Sequence, residues 1–394
     1  MYCLVLRVVA LLWNNFSSDA FVNVRFDLKH IIQQQIKSDG PIDFASFMTT
    51  ALYHPEYGYY QQQHCPIGRQ GDFTTAPEMS PVFAMALAMR WQALQPYLTD
   101  GVVVEVGPGT GALAAQFLDT AIELDCVPKS YYLLELNPKA QELQQQFLAS
   151  KLPDDVYQRC VWLQEPLTEN WQGMLLANEI LDAQPVHIFV QSLAGTLERH
   201  VDLDPNHELV FVDLPCQNAL LNEAVAALDL PLDPGYCSEI NLQLATWFAA
   251  HCASLECGAV LLIDYGYSRR EYYHWQRRQG TLMAYDQHRA HSDVLAKPGQ
   301  QDLTAHVDFS RVKDIATALS FEPKCYLTQA WFLLGSGALA ALEQLPESQR
   351  LEMSAALKQL LLPQSMGEMF KVMVLTRGQL GAWAEMQYNQ LARL

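Results

Sequence analysis

The chain has 394 residues, half of them apolar by type and 17% charged, so it can bury a large core and is not a disordered polypeptide. The formal net charge of −18 argues against a nucleic-acid backbone as partner, because such partners select basic surfaces. It suits a soluble protein and would draw cationic substrates to an acidic cleft. Nine cysteines without a CxxC pair predict reduced thiols, and neither a disulfide framework nor a metal site.

The N-terminal run "CLVLRVVALLW" (3–13) is broken by Arg7 and is too short to span a bilayer, so stable membrane insertion is not expected. Residues 1–25 read as a leader or an extension. "LKHIIQQQIKSDG" has helical spacing and stops at Gly40. A second helix is predicted from Pro41, with Phe44, Phe47, Met48, Ala51 and Leu52 on its apolar face, closing at His54-Pro55. Residues 56–80, rich in Gly and Pro, read as loop, and 82–95 as helix.

An alternation follows. "GVVVEV" (101–106) is a buried strand and 111–119 a helix. "YYLLEL" (131–136) is a strand and 138–149 a helix, and "CVWL" (160–163) and "MLLAN" (174–178) are strands. Short strands fill an irregular region, 186–235. A helix over 238–255, the strand 258–266, helices within 330–362 and a late strand at 370–378 complete the reading. Strands alternating with helices predict an α/β fold with parallel βαβ units. The Gln clusters at 33–35, 61–63 and 144–146 read as solvated surface.

"VVVEVGPGTGALAAQFL" is the most informative segment. A strand enters Gly107, Gly109 and Gly111, then a helix, with Glu105 two residues ahead. Small residues let a ligand approach the backbone, and the helix N-terminus offers N–H groups. The spacing alone also satisfies a dinucleotide pattern. Glu135, at the end of the next strand, can accept from ribose hydroxyls of NAD or of S-adenosylmethionine alike. Asn178-Glu179, at the end of a later strand, lies where a reacting group would sit. The competing reading makes Asn178 a helix N-cap.

With these pieces in place the chain resembles the MidA-like methyltransferases. The motifs are "ALYHPEYGYY" (51–60), "GDFTTAPEMS" (71–80), "VEVGPGTGAL" (104–113), "LLANEILDAQPV" (175–186), "LIDYG" (262–266), "DLTAHVDFS" (302–310) and "MGEMFKVMVLT" (366–376). The resemblance implies a Rossmann-like class I methyltransferase fold over 101–394. It also implies an N-terminal helical and loop extension over 26–100 and an inserted substrate region around 186–235. S-adenosyl-L-methionine is the implied cofactor, and an arginine of a protein, of the respiratory complex I type, the implied methyl acceptor. The implied location is the cytoplasm in a bacterium and the mitochondrial matrix in a eukaryote. A homodimer is compatible with the sequence but not specified by it. Ala76 stands where the family commonly has Ser.

Glu105, Gly107, Gly109, Gly111, Glu135, Thr74, Thr75 and Asn178 are the expected cofactor-binding residues. Thr74 and Thr75 would face its methionine end. Glu179, Asn178, Asp72 and Glu78 are the expected catalytic residues, because a guanidinium is held best by carboxylates. Asp182, Asp264 and Asp308 are further carboxylates in the motifs. His306 reads either as a proton acceptor or as a structural hydrogen-bonder, and Ser80-Pro81 as a helix start. Methylation of another side chain or a small molecule, a non-catalytic assembly factor and an NAD-dependent oxidoreductase are the competing functions.

Overall fold

The computed structural model describes residues 27–61, 76–286, 289–342, 347–381 and 387–394. The segment 1–25 and the site candidates Asp72, Thr74 and Thr75 lie outside the described residues. Among those described, no helix is long and apolar enough to cross a membrane.

The first strands are β1 (Ile42–Asp43), β2 (Val102–Val106), β3 (Tyr131–Leu134), β4 (Cys160–Leu163) and β5 (Trp171–Asn178). Next come β6 (His187–Ser192), β7 (Gly195–Leu203), β8 (Leu209–Pro215), β9 (Cys237–Ile240) and β10 (Leu255–Tyr267). The chain continues through β11 (Met283–Asp286), β12 (Arg289–His291), β13 (Asp302–Thr304), β14 (Val307–Asp308), β15 (Glu322–Thr328) and β16 (Phe370–Arg377).

The principal sheet has the order β15-β16-β10-β5-β2-β3-β4, with β14 added to the end of β10. β2, β3, β4, β5 and β10 run parallel, and β16 is antiparallel to both neighbours. β2 and the centre of β10 are buried throughout, as a sheet covered on both faces requires. One face packs on helices Val82–Leu94 and Ala112–Glu123, the other on Leu244–Cys252 and Phe309–Ala318. The chain leaves β2 toward β3 and β4, then returns to β5 on the other flank. That reversal opens a crevice beyond the carboxyl ends of β2 and β5, where ligands bind in such sheets.

A second sheet, β1-β7-β6-β9 with β8 on β7, joins the N-terminal segment to the region between β5 and β10. β11, β12 and β13 form a third, small sheet between β10 and β15. The N-terminal helices Leu28–Asp39 and Phe44–Tyr53 share a core with these strands.

Three sequence expectations change. The second helix starts at Phe44, not Pro41, because Ile42–Asp43 pairs with Val201 and His200 and the Asp43 side chain caps Ser46 N. The helix expected over 238–255 is the strand β9 followed by Leu244–Cys252, since Ser238 and Glu239 pair with β6. Gly195–Leu203 and Glu322–Thr328 are strands the apolar pattern did not announce.

Glu105 is the one charged residue of β2 and is buried at 4% exposure. The Tyr131 hydroxyl donates to its Oε2 at 2.8 Å. Burial pushes the carboxyl up from 4.5 to about 7, and the Tyr131 bond only partly offsets this. The folded protein therefore keeps a proton that the unfolded chain has already released. That stabilisation is complete below the unfolded value and is lost as pH rises toward 7. The urea stability of the wild type is expected to fall over this interval, by on the order of 2 kcal/mol from Glu105 alone. Glu105→Gln should remove that part of the slope, and a variant with an unchanged slope would assign it to other groups.

Candidate active site

β2 ends in a turn whose three glycines, Gly107, Gly109 and Gly111, have φ of 63°, 55° and 83°. That left-handed region favours residues without a Cβ. At Gly107 a Cβ would stand 2.5 Å from Ile180 Cδ1, a side-chain end that could shift, so the positive φ is the stronger constraint. The same contact places the glycine turn against the turn that follows β5. Gly111 is the N-cap of Ala112–Glu123 and makes no side-chain cap bond.

Glu135 follows β3, where burial raises its carboxyl above the ordinary range. Its Oε1 accepts from Asn137 N at 2.8 Å and its Oε2 from Gln144 Nε2 at 3.1 Å. Gln144 Nε2 also donates to Gly109 O at 2.8 Å, and Gln144 Oε1 accepts from Trp162 Nε1 at 3.0 Å. Gln144 is thus fully buried and ties the glycine turn to Glu135, so the Gln cluster at 144–146 is not wholly solvated surface. The signal was positional: Gln144 lies four residues before the buried Leu148 on one helical face.

The described end of the "GDFTTAPEMS" stretch is the short helix Ala76–Met79. Its Glu78 accepts from the Thr110 hydroxyl inside the glycine turn, and Pro77 O accepts from Gln116 Nε2 at 3.0 Å. Ser80 Oγ accepts from Val82 N at 3.3 Å at the start of the helix Val82–Leu94, whose N-cap is Pro81 and not the serine. One stretch both leads into a helix and docks on the turn.

The register of β2 against β5 pairs Val106 with Ala177, which sets Asn178 level with Gly107. No helix begins at Asn178; a turn follows, so N-capping is not its role. Its Nδ2 donates to Glu179 Oε1 at 3.1 Å, and its buried Oδ1 has no partner among the described residues. Glu179 has φ of 53°, uncommon for a residue with a side chain. Its N–H donates to Ile263 O of β10 at 2.8 Å, which fixes that conformation.

Asp264, near the end of β10, holds the turn through its main-chain amides. Its Oδ2 accepts from Leu181 N at 2.9 Å and Asp182 N at 3.1 Å, and its Oδ1 from Tyr265 N at 2.9 Å. Asp182 accepts from the Tyr265 hydroxyl. Glu179, Asp182 and Asp264 form no ion pair with Lys, Arg or His among the described residues. Burial first, and Asp182 second, push Glu179 up to about 8. Burial pushes Asp182 up to about 6. Burial, with Asp182 and Glu179 beside it, holds Asp264 well above the ordinary range.

Asp302 of β13 completes this acidic wall and accepts from Tyr60 OH at 2.9 Å; sequence reasoning had not singled it out, nor Tyr60 and Tyr265. His306 sits beside them, stacked on Tyr267 at 5.2 Å with its edge contact to Tyr265 at 5.0 Å. Burial lowers it to about 4, with Arg277 and Lys371 adding to the effect, so it is neutral at physiological pH. Asp308 caps Phe309–Ala318 through Ser310 N and Arg311 N. Glu105 faces the sheet interior, with its carboxylate held by Tyr131.

These residues fit S-adenosylmethionine. The glycine turn admits close backbone approach, Glu135 offers a carboxyl just past the neighbouring strand, and the orphaned Asn178 Oδ1 offers an acceptor beside the turn. When bound, the cofactor supplies a methyl group on a sulfonium.

Residues 82–326 match a family model described as "Putative S-adenosyl-L-methionine-dependent methyltransferase". The chain is 31% identical to the mouse protein arginine methyltransferase NDUFAF7, mitochondrial, over 384 residues, which covers 87% of this chain and 82% of that protein. The zebrafish protein of the same name is 28% identical over 409 residues, covering 95% and 93%. A crystal structure of a COG1565 superfamily member from Burkholderia thailandensis, bound to S-adenosyl-homocysteine, superposes with a TM-score of 0.88 at 34% identity. It covers 93% of this chain and 96% of that one. The sheet order, the glycine turn and these relatives agree: the chain belongs to this family of S-adenosyl-L-methionine-dependent methyltransferases.

Proposed function

We propose that the methyl acceptor is an arginine side chain of a protein. The observation that carries this reading is the group of carboxyls just past β5 and near the end of β10, with Asp182 and Asp264 buried, Glu179 half-buried, and none of them paired with a counter-cation among the described residues. A guanidinium is planar and always charged, and it pairs with carboxylates through two parallel N–H bonds. Its arrival would restore the charge balance that this cleft lacks. The names of the mouse and zebrafish relatives support the same acceptor.

In this reading Gly107, Gly109 and Gly111 leave room for the cofactor, and Glu135 takes its ribose. Glu78 braces the turn through Thr110. Asn178 orients Glu179 through the 3.1 Å bond, and Glu179 faces the guanidinium. Thr74 and Thr75 are assigned to the methionine end of the cofactor, and Asp72 to the catalytic carboxylates, as the family resemblance implies. Methyl transfer is an in-line displacement, so these groups act mainly by positioning.

The decisive experiment offers tritiated S-adenosylmethionine and a lysate from cells lacking this gene. Label is expected in methylarginine after acid hydrolysis of protein. Label confined to other side chains or small molecules would overturn the acceptor.

Two variants test the site. Gly109→Val places a β-branched residue at φ 55° against the cofactor, and calorimetry should detect no S-adenosyl-homocysteine binding. Undiminished affinity would remove the turn from the site. Glu179→Gln keeps the shape and removes the charge. It should leave S-adenosyl-homocysteine affinity unchanged while methyl transfer falls by roughly tenfold to a few hundredfold, the worth of one charge-assisted hydrogen bond. Full activity in that variant would move the guanidinium to another carboxylate.

A further inference from the structure

Methylating a guanidinium raises a problem that binding does not solve. The attacking nitrogen must lose a proton, and a free guanidinium does not release one near neutral pH. Some group in the cleft must take it. Four carboxyls stand there, and their hydrogen bonds distinguish them.

Asp264 is occupied, since its two oxygens already accept three backbone N–H groups. Glu179 is only half-buried, and its Oε1 accepts from Asn178. Asp302 Oδ1 accepts from both Tyr60 OH and Leu303 N. Asp182 differs. It is 5% exposed, its Oδ2 accepts from Tyr265 OH, and its Oδ1 has no partner among the described residues. Its main chain is clamped as well, with N donating to Asp264 and O accepting from Ala305 N at 2.9 Å. The Tyr265 hydroxyl holds the carboxylate on this clamped backbone, and one oxygen is left over.

We propose that Asp182 is the proton acceptor of the transfer and that Tyr265 is the positioning residue that holds it with Oδ1 available to the substrate. The inference rests on the arginine reading above. A lone pair of the attacking guanidinium nitrogen forms the new N–CH3 bond. The S–CH3 bond breaks, its electron pair stays on the now neutral sulfur, and the N–H proton passes to Asp182 Oδ1. The products are a methylguanidinium, the thioether and a carboxylic acid that later releases its proton to water.

The electrostatic setting supports the choice. Asp182 is faced by Glu179 from the β5 turn, by Asp264 and Tyr265 from β10, by Tyr60 from the N-terminal segment and by Tyr285 from β11. Burial brings its carboxyl to about 6, so it is ionised at neutral pH yet basic enough to take a proton. Glu179, pushed to about 8, is largely protonated there until a cation arrives.

Tyr265 gives the test its direction. Its hydroxyl donates to the charged form of Asp182 and so lowers that carboxyl. Tyr265→Phe should raise it by about one pH unit. Carboxyl 13C NMR of the full chain measures this directly, with Asp182→Asn identifying the resonance. The rate of methyl transfer to the gene-deletion lysate is then followed from pH 5 to 9. In Tyr265→Phe the acidic limb should move upward by the same amount as the resonance. In Asp182→Asn the plateau should fall at least tenfold while S-adenosyl-homocysteine affinity stays within twofold. Together these results support the assignment. An unmoved limb, an unmoved resonance in Tyr265→Phe, or a fully active Asp182→Asn overturns it. If label enters an acceptor other than arginine, the arginine reading fails while the limb and its shift still score Asp182 on that acceptor. A wild type that transfers no methyl overturns both.

Discussion

The rest of this molecule is arranged around a buried carboxylate that props up a turn. Asp264 lies three residues before the end of β10 at 1% exposure, and it accepts two consecutive amides, those of Leu181 and Asp182. Without it those N–H groups would be orphaned in a dry place, at a cost of about 1–3 kcal/mol each. The prop explains why β5 is followed by a turn and not by a helix, and why Glu179 is held at φ 53° by Ile263 O. It also brings like charges together. Amide donors favour the ionised form of Asp264, whereas burial and its acidic neighbours favour the neutral one, and the latter win.

Elements distant in the chain close over this turn. Tyr53 OH, from the N-terminal helix, donates to Ala183 O at 2.9 Å, and Ala305 N, between β13 and β14, donates to Asp182 O. Tyr60 binds Asp302 through its hydroxyl and accepts from Asn137 Nδ2 at its carbonyl, at 3.2 Å. The N-terminal extension thus touches both the acidic wall and the cap of the helix Pro138–Lys151, beside Glu135. The cofactor side and the acid side of the crevice are braced by the same short segment.

Much of this was legible in the sequence, for identifiable reasons. A parallel sheet buried on both faces writes itself as apolar runs, so β2, β3 and β5 could be read directly, and glycines at positive φ mark the turn. The segments that escaped do not carry a clean period. β7 mixes Glu198, Arg199, His200 and Asp202 into its length because its neighbours supply partners, such as Asp213 for Arg199 at 2.7 Å. β9 reads "CSEI" and looks helical beside Leu244, yet Glu239 is buried by Tyr272 and Thr281. At the site the glycines, Glu135 and Asn178-Glu179 stood out because they follow strands. Gln144, Tyr60, Tyr265 and Asp302 did not, since their roles come from tertiary contacts that span from 9 to 242 residues of sequence.

In the arginine reading proposed above, the division of labour among the carboxyls follows from what that acceptor demands. A lysine can be deprotonated simply by removing water from around it, and an apolar slot would suffice. A guanidinium keeps its charge in such a slot, so the site must offer a negative charge to bind it and a separate base to take its proton. Two carboxyls of equal basicity would compete for both tasks. Here their surroundings differ: burial and the neighbouring Asp182 raise Glu179, whereas the Tyr265 hydroxyl works against burial at Asp182. Pairs of acids driven apart in this way mark distinct roles in one site. Binding the cation favours ionisation of Glu179, and the anion so formed then stands beside Asp182. It favours protonation of Asp182 at the moment the proton must move.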